Sequence, residues 1–380
     1  MNYTKSKPFF SWIVLIGVLI LSGCLQESKT QEEPGITVTV SPIPTPTATI
    51  TPCEAPTLIF KNTAAPTPTS TNTPTPTNTP TITSMQTPTA TEVPTETPTP
   101  SPSPTMSILE KIVDFEQSVE NLQKILSSDT ILLVNMTRHD VLYSYNASEI
   151  IYPASITKLM TAYLALEYGD LDDTVTFSTK AVTRVIPDAM MCGFRAGDQI
   201  KLKDLLTCML LYSGNDTAVA VAEHISGSEE EFVKLMNETA KELGMKDTVF
   251  YNPHGLPNDA HVTSAYNIYL IMEKLFCSDE FLDIISLSSY TAPYRSKNGA
   301  EKELTVSSTN FFLHGQYDVP EGIQMIGGKT GTTNKAGYCL CVYVKDEAGE
   351  CYIAEVFGAD TRPDLYSDMI VLLQEISDLY

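Results

Sequence analysis

Pro153-Ala154-Ser155-Ile156-Thr157-Lys158-Leu159-Met160-Thr161 contains the one serine of the chain that is followed three positions later by a lysine. Leu159, Met160, Ala162, Tyr163, Leu164 and Leu166 continue it as an apolar helical pattern that stops at Gly169. The spacing predicts a buried helix from Ser155 to Tyr168 with the serine in its opening turn. Residues i and i+3 lie on one helix face, so the Lys158 amine can reach the Ser155 hydroxyl. A serine alcohol is a weak nucleophile until a neighbouring base takes its proton, and a desolvated lysine beside other cations can serve as that base near neutral pH. The helix N-terminus favours developing negative charge. By itself the pair is a weak signal, because a capping serine followed by a solvated lysine looks the same.

Outward from this stretch the pattern is that of an α/β chain. Towards the N-terminus, Ile131-Leu132-Leu133-Val134 reads as a buried strand, and Thr137-Arg138-His139-Asp140 turns it into a hairpin with Val141 to Tyr145. Apolar residues from Ile108 to Leu126 recur at helical spacing ahead of it. Towards the C-terminus, residues 201–287 are helix-rich. Three strands then follow, around Met325-Ile326, Gly337 to Lys345 and Cys351 to Phe357, before a last helix from about Pro363 to Leu379. Strands at both ends with helices between them predict a sheet assembled from sequence-distant segments, with an inserted helical region.

Composition divides the 380 residues into three parts. Lys5 and Lys7 precede the apolar run Phe9 to Leu21, which suits an export signal and is short for a membrane span. Of 25 prolines, 17 fall between Pro34 and Pro104. Residues 24–105 therefore read as a Thr/Pro-rich disordered tether, of which about 70 residues in polyproline II geometry would reach on the order of 200 Å. Residues 106–380 form the folded unit. The chain holds 46 acidic against 24 basic residues, a formal charge of −22, with no basic cluster, which argues against nucleic-acid binding. No HExxH occurs and the five histidines lack ligand spacing, so neither a metal nor another cofactor is predicted. The cysteines beyond Cys24 form no CxxC pair; Cys339 and Cys341 alternate onto one strand face and read as core packing.

Two further motifs change the weight of the Ser155/Lys158 pair. Ser213-Gly214-Asn215 lies 58 positions downstream of Ser155, and Lys329-Thr330-Gly331 lies 116 beyond Ser213. In this order they match the S-x-x-K, S-D-N and K-T-G elements of the penicillin-recognising serine enzymes. From about Asn121 onward the chain resembles the D-alanyl-D-alanine carboxypeptidases of the low-molecular-weight penicillin-binding protein group, peptidase family S11. The resemblance extends through Met236-Asn237, Leu243-Gly244-Met245, Asn252-Pro253-His254-Gly255-Leu256 and Thr332-Thr333 to Ala336-Gly337. Leu21-Ser22-Gly23-Cys24 resembles a bacterial lipobox, with an ordinary secretory signal as the alternative.

The first resemblance implies an antiparallel sheet flanked by helices, the β-lactamase/transpeptidase-like fold of α+β type. It implies Ser155 as nucleophile, Lys158 as base, Ser213 as proton relay and Asn215 as a substrate and lysine contact. It implies Lys329, Thr330 and Thr332 around the substrate carboxylate, and an oxyanion hole from the backbone N–H groups of Ser155 and Thr332. Gly331 suits a strand along which substrate backbone pairs closely. His254 is expected to be structural, as are Asp188, Arg195 and Asp216, while Arg362 receives no role. Asn267 stands where an aspartate is common, which puts local contacts in question. The implied partners are the peptidoglycan stem peptide and β-lactams as covalent inhibitors. The lipobox implies that Cys24 carries a lipid holding the protein to the outer face of the bacterial membrane. Competing readings are a serine β-lactamase, whose E-x-x-L-N element is missing between Glu223 and Asn267, and a non-catalytic β-lactam-binding wall lipoprotein.

Overall fold

The computed structural model describes residues 106–118, 126–183 and 189–377. The segments read above as an export signal and a tether, with Cys24 and Asp188, lie outside these residues. Helix α1 (Ile108–Ser118) is followed by β1 (Thr130–Asn135) and β2 (Asp140–Tyr145), paired antiparallel around a turn at which His139 takes a positive φ of 53°. β7 (Ile323–Thr333), β8 (Gly337–Asp346) and β9 (Cys351–Ala359) complete a five-stranded antiparallel sheet of order β2-β1-β9-β8-β7. Both ends of the folded part thus meet in one sheet, with β7 at its edge.

That sheet is buried on both faces. On β8, Cys339, Cys341 and Tyr343 belong to one core, and Leu340, Val342 and Val344 to the other. This period of two explains why the strand reads as an almost continuous apolar run. Over the second face lies α8 (Arg362–Ser377), contributing Leu365, Met369, Leu372, Leu373 and Ile376. The first face carries α2 (Lys158–Tyr168), α3 (Leu202–Tyr212), α4 (Asn215–Ser226), α5 (Glu229–Glu242), α6 (Ala265–Leu275) and α7 (Asp279–Ile285). Serine hydroxyls cap three of these helices: Ser228 on α5, Ser264 on α6 and Ser278 on α7 each accept a backbone N–H from the first turn. No described helix is long and apolar enough to cross a membrane.

The structure adds one element to the sequence reading. A second antiparallel sheet of β3 (Thr174–Thr176), β4 (Gln199–Lys201), β5 (Ser289–Arg295) and β6 (Glu301–Ser307) flanks the helical region. β3 and β4 are three residues long, and β5 and β6 fully bury only Ala292 and Val306. Neither length nor alternation reveals such strands.

Candidate active site

Ser155 stands in a tight turn rather than in the α-helix itself. Residues Ala154–Thr157 form a 3₁₀ turn, and α2 begins only at Lys158. Side chains at i and i+3 eclipse in 3₁₀ geometry, which brings Lys158 Nζ to 3.1 Å from Ser155 Oγ. The turn is braced from two sides. Gly255, at φ +85°, presses on it so closely that a Cβ there would lie 1.7 Å from the Ala154 carbonyl oxygen. Gly331 of β7 lies opposite, where a Cβ would meet Pro153 O at 3.1 Å and Ala154 Cβ and Ile156 Cγ1 at 3.2 Å. Ala154 itself holds φ +46°, a conformation that costs a non-glycine residue energy and persists only when the surroundings fix it.

Two lysines are buried beside this turn. Lys158 is fully enclosed, and its amine also lies 2.9 Å from Asn215 Oδ1 and 2.7 Å from the His254 carbonyl oxygen. Burial, reinforced by the nearby Lys329, holds the Lys158 amine well below the ordinary lysine range. A neutral amine has two N–H bonds and one lone pair. With the two hydrogens on Asn215 Oδ1 and the His254 carbonyl, the lone pair is left for the Ser155 hydroxyl, which then donates to it. Lys329, 1% exposed, donates to Ser213 Oγ at 2.9 Å and to the Thr330 carbonyl at 2.8 Å. Its burial lowers it to about 7. Ser213 sits at the end of α3 in the left-handed region, φ 66°, which turns the chain back so that Asn215 can open α4. The structure thus gathers Ser155, Lys158, Ser213, Asn215, Lys329, Thr330, Gly331 and Thr332 from separate segments of the chain.

The family match spans residues 116–361 and carries the description D-alanyl-D-alanine carboxypeptidase. The chain belongs to this family, peptidase S11. It is 36% identical over 249 residues to the D-alanyl-D-alanine carboxypeptidase DacF of Bacillus subtilis, covering 64% of this chain and 60% of that one. To DacA of Haemophilus influenzae it is 31% identical over 257 residues, covering 65% and 62%. The chain therefore spans about three-fifths of the length of these curated relatives. Among solved structures it is similar to the Streptomyces K15 DD-transpeptidase, at 25% identity and a TM-score of 0.60, covering 67% of this chain and 96% of that one. It is also similar to penicillin-binding protein D2 of Listeria monocytogenes in its cefotaxime-bound form, at 27% identity and a TM-score of 0.54, with 66% and 97% covered.

In this S11 chain several contacts had no signal in the sequence. The lysine acceptor at position 254 is a backbone carbonyl, and any residue type carries one. The His254 ring supports it: Nδ1 accepts the Leu256 N–H at 3.1 Å, so Nε2 bears the hydrogen and faces Glu229 Oε1 at 3.8 Å. Asn252 Oδ1 accepts from the Gly255 and His254 N–H groups and fixes the same loop. Asp216 accepts from the backbone N–H groups of Cys192, Gly193 and Thr217, a structural use of a buried carboxylate. Asn267 donates through Nδ2 to the Lys246 carbonyl and to Thr248 Oγ1, contacts for which an amide is suited and an ionised aspartate is not. Thr330 Oγ1 is hydrogen-bonded to Thr309 Oγ1 at 2.5 Å. The Arg362 guanidinium lies over the rings of Phe311 and Tyr338. At Gly331 the tight neighbour is the Ser155 turn itself, which would have to give by a few tenths of an ångström to admit a Cβ whether or not a substrate is bound.

Proposed function

We propose that the protein is a serine-type D-Ala-D-Ala carboxypeptidase that removes the terminal D-alanine from peptidoglycan stem pentapeptides through an acyl-enzyme. The observation that carries the reading is the Ser155 hydroxyl 3.1 Å from an amine that burial holds well below the ordinary lysine range, with a second lysine held on Ser213 nearby. Two lysines whose protonation differs divide the work. Neutral Lys158 takes the Ser155 proton as Oγ attacks the carbonyl between the two D-alanines, a contribution of about 10²- to 10⁴-fold for a placed base. Lys329, cationic at and below about pH 7, attracts the terminal carboxylate, with Thr330 and Thr332 beside it. The C–N bond breaks as the Ser213 hydroxyl relays the proton taken up by Lys158 to the leaving amine, which restores both groups, and water then hydrolyses the ester. Backbone N–H groups of Ser155 and Thr332 serve as the oxyanion donors. All three hydrogen-bond partners of the Lys158 amine are neutral, which suits a base and places no water-activating carboxylate on it.

The catalytic domain is assigned to residues 106–380, with β-lactams as covalent inhibitors at Ser155. Residues 1–23 are assigned as a lipoprotein signal, Cys24 as the lipidated residue and 24–105 as the tether, which places the domain outside the cytoplasmic membrane. The decisive assay is D-alanine release from diacetyl-Lys-D-Ala-D-Ala, with Ser155→Ala as control. Release that disappears in the variant supports the reading, and release that persists refutes the nucleophile. For the anchor, Cys24→Ser is expected to move the protein to the soluble fraction; full retention on the membrane would sink that assignment.

A further inference from the structure

We propose that Thr309 is a positioning residue of this site, its hydroxyl directing the hydrogen of the Thr330 hydroxyl onto the substrate's terminal carboxylate. The inference rests on the hydrolytic reading above, which places that carboxylate at Lys329 and Thr330. Thr309 lies outside the three motifs, in the connection between β6 and a 3₁₀ turn at Phe311–His314, and its backbone is held from two sides. Its N–H donates at 3.0 Å to the carbonyl of Leu211, near the end of α3 and two residues before Ser213. Its carbonyl accepts the Tyr366 hydroxyl of α8 at 3.4 Å, and the Tyr366 oxygen in turn accepts the Phe311 N–H at 2.8 Å. Thr309 thus ties the helix that leads into Ser213 to the strand that carries Lys329 and Thr330.

Two hydroxyl hydrogens are shared among three oxygens here. Thr309 Oγ1 lies 3.3 Å from the Leu211 carbonyl oxygen and 2.5 Å from Thr330 Oγ1. Each hydroxyl has one hydrogen to donate and lone pairs to accept. While the Thr309 hydrogen is on Leu211, Thr330 is the donor across the short contact and shows only lone pairs to an incoming carboxylate, which they repel. Once the Thr309 hydrogen turns to Thr330 Oγ1, the Thr330 hydrogen is released for the carboxylate. The turn costs little, because the bond given up is long beside the usual O–H···O separation of about 2.7–2.8 Å, and the Leu211 carbonyl keeps the Thr309 N–H. A hydroxyl that accepts one hydrogen bond also donates a stronger one. The Thr332 hydroxyl donates instead to the Gly331 carbonyl at 2.7 Å, so Thr330 is the threonine of this pair whose direction a neighbouring hydroxyl decides.

The test uses the full chain carrying Ser155→Ala and two D-Ala-D-Ala peptides, one ending in a free carboxylate and one in an amide, with affinities read by calorimetry. Thr309→Val puts a methyl where the hydroxyl was, and a methyl does not approach an oxygen to 2.5 Å, so the Thr330 hydroxyl is displaced. The ratio of carboxylate to amide affinity is expected to fall by about tenfold or more, the effect of losing a hydrogen bond to a charged group. Thr309→Ser keeps the hydroxyl and is expected to keep the ratio. Thr330→Val is expected to lower the same ratio, and adding Thr309→Val to it to lower it no further. An unchanged ratio in Thr309→Val, an equal loss for both peptides, a Thr309→Ser protein that behaves like Thr309→Val, or additive effects of the two valines would overturn the positioning role. D-alanine release by the chain with Ser155 intact is followed separately with the carboxylate peptide. Its absence defeats the hydrolytic reading, whereas release together with a ratio that Thr309→Val leaves unchanged defeats the positioning role alone.

Discussion

Glu355 offers the sharpest energetic test of the structure. It lies at the middle of β9, fully buried, and neither carboxylate oxygen has a partner among the described residues. Across the sheet it is opposite Leu132 on β1 and Cys341 on β8, and Cys341 in turn is opposite Lys329. Burial pushes its carboxyl well above the ordinary 4.5, so the native state holds a proton that the unfolded chain releases. The sign follows: above pH 4.5 the native state binds more protons than the unfolded one, and its stability falls as pH rises. Each pH unit costs about 1.4 kcal/mol over the range in which the native carboxyl stays protonated and the unfolded one is ionised. Glu355→Gln keeps the shape and removes the titration. The contributions of Lys158 and Lys329 are common to both proteins and cancel. Urea unfolding of both proteins at about pH 5 and about pH 8 is the assay. At a slope of roughly 3 kcal/mol/M, the midpoint of the Glu355→Gln protein is expected to gain on that of the parent by up to about 0.5 M for each pH unit in that range. Parallel pH dependence in the two proteins would refute the argument that this carboxyl is buried and unpartnered.

Three further outcomes follow from the site. Lys158→Arg replaces an amine that burial holds well below the ordinary lysine range with a permanently charged guanidinium, so the rate of penicillin acylation at Ser155 is expected to fall by about 10²- to 10⁴-fold, and a rate close to the original would exclude Lys158 as the base. Because burial lowers Lys329 to about 7, it is charged below that pH and neutral above it. KM for a peptide with a free terminal carboxylate should therefore rise about tenfold per unit above about pH 7. The amide-terminated peptide should not follow, and identical profiles for the two peptides would remove Lys329 as the carboxylate partner. Gly255→Ala combines a strained φ of +85° with a Cβ 1.7 Å from the Ala154 carbonyl, so it should destabilise the fold by at least about 2 kcal/mol and abolish acylation. Retention of both properties would show that the loop does not brace the nucleophile's turn.

The five-stranded sheet was legible because its strands are buried on one or both faces, and burial leaves either alternation or a continuous apolar run, as on β1 and β8. The side chains of the three motifs were legible because their chemistry requires particular residue types at fixed local spacing, as in Ser155 and Lys158. The small sheet was not, since β5 and β6 bury one residue each. Nor was the start of α2 at Lys158, which depends on a 3₁₀ turn held between Gly255 and Gly331.

Residue identity and local spacing name the groups able to do the chemistry: a serine, two lysines and the residues that flank them. Packing sets the state of those groups. The Lys158 amine falls well below the ordinary lysine range, and Lys329 to about 7, only once both are enclosed. The second acceptor for the Lys158 amine is a peptide carbonyl 96 positions away, a group that every residue carries. Desolvation and the approach of distant backbone are properties of the packed chain, and no local spacing encodes them.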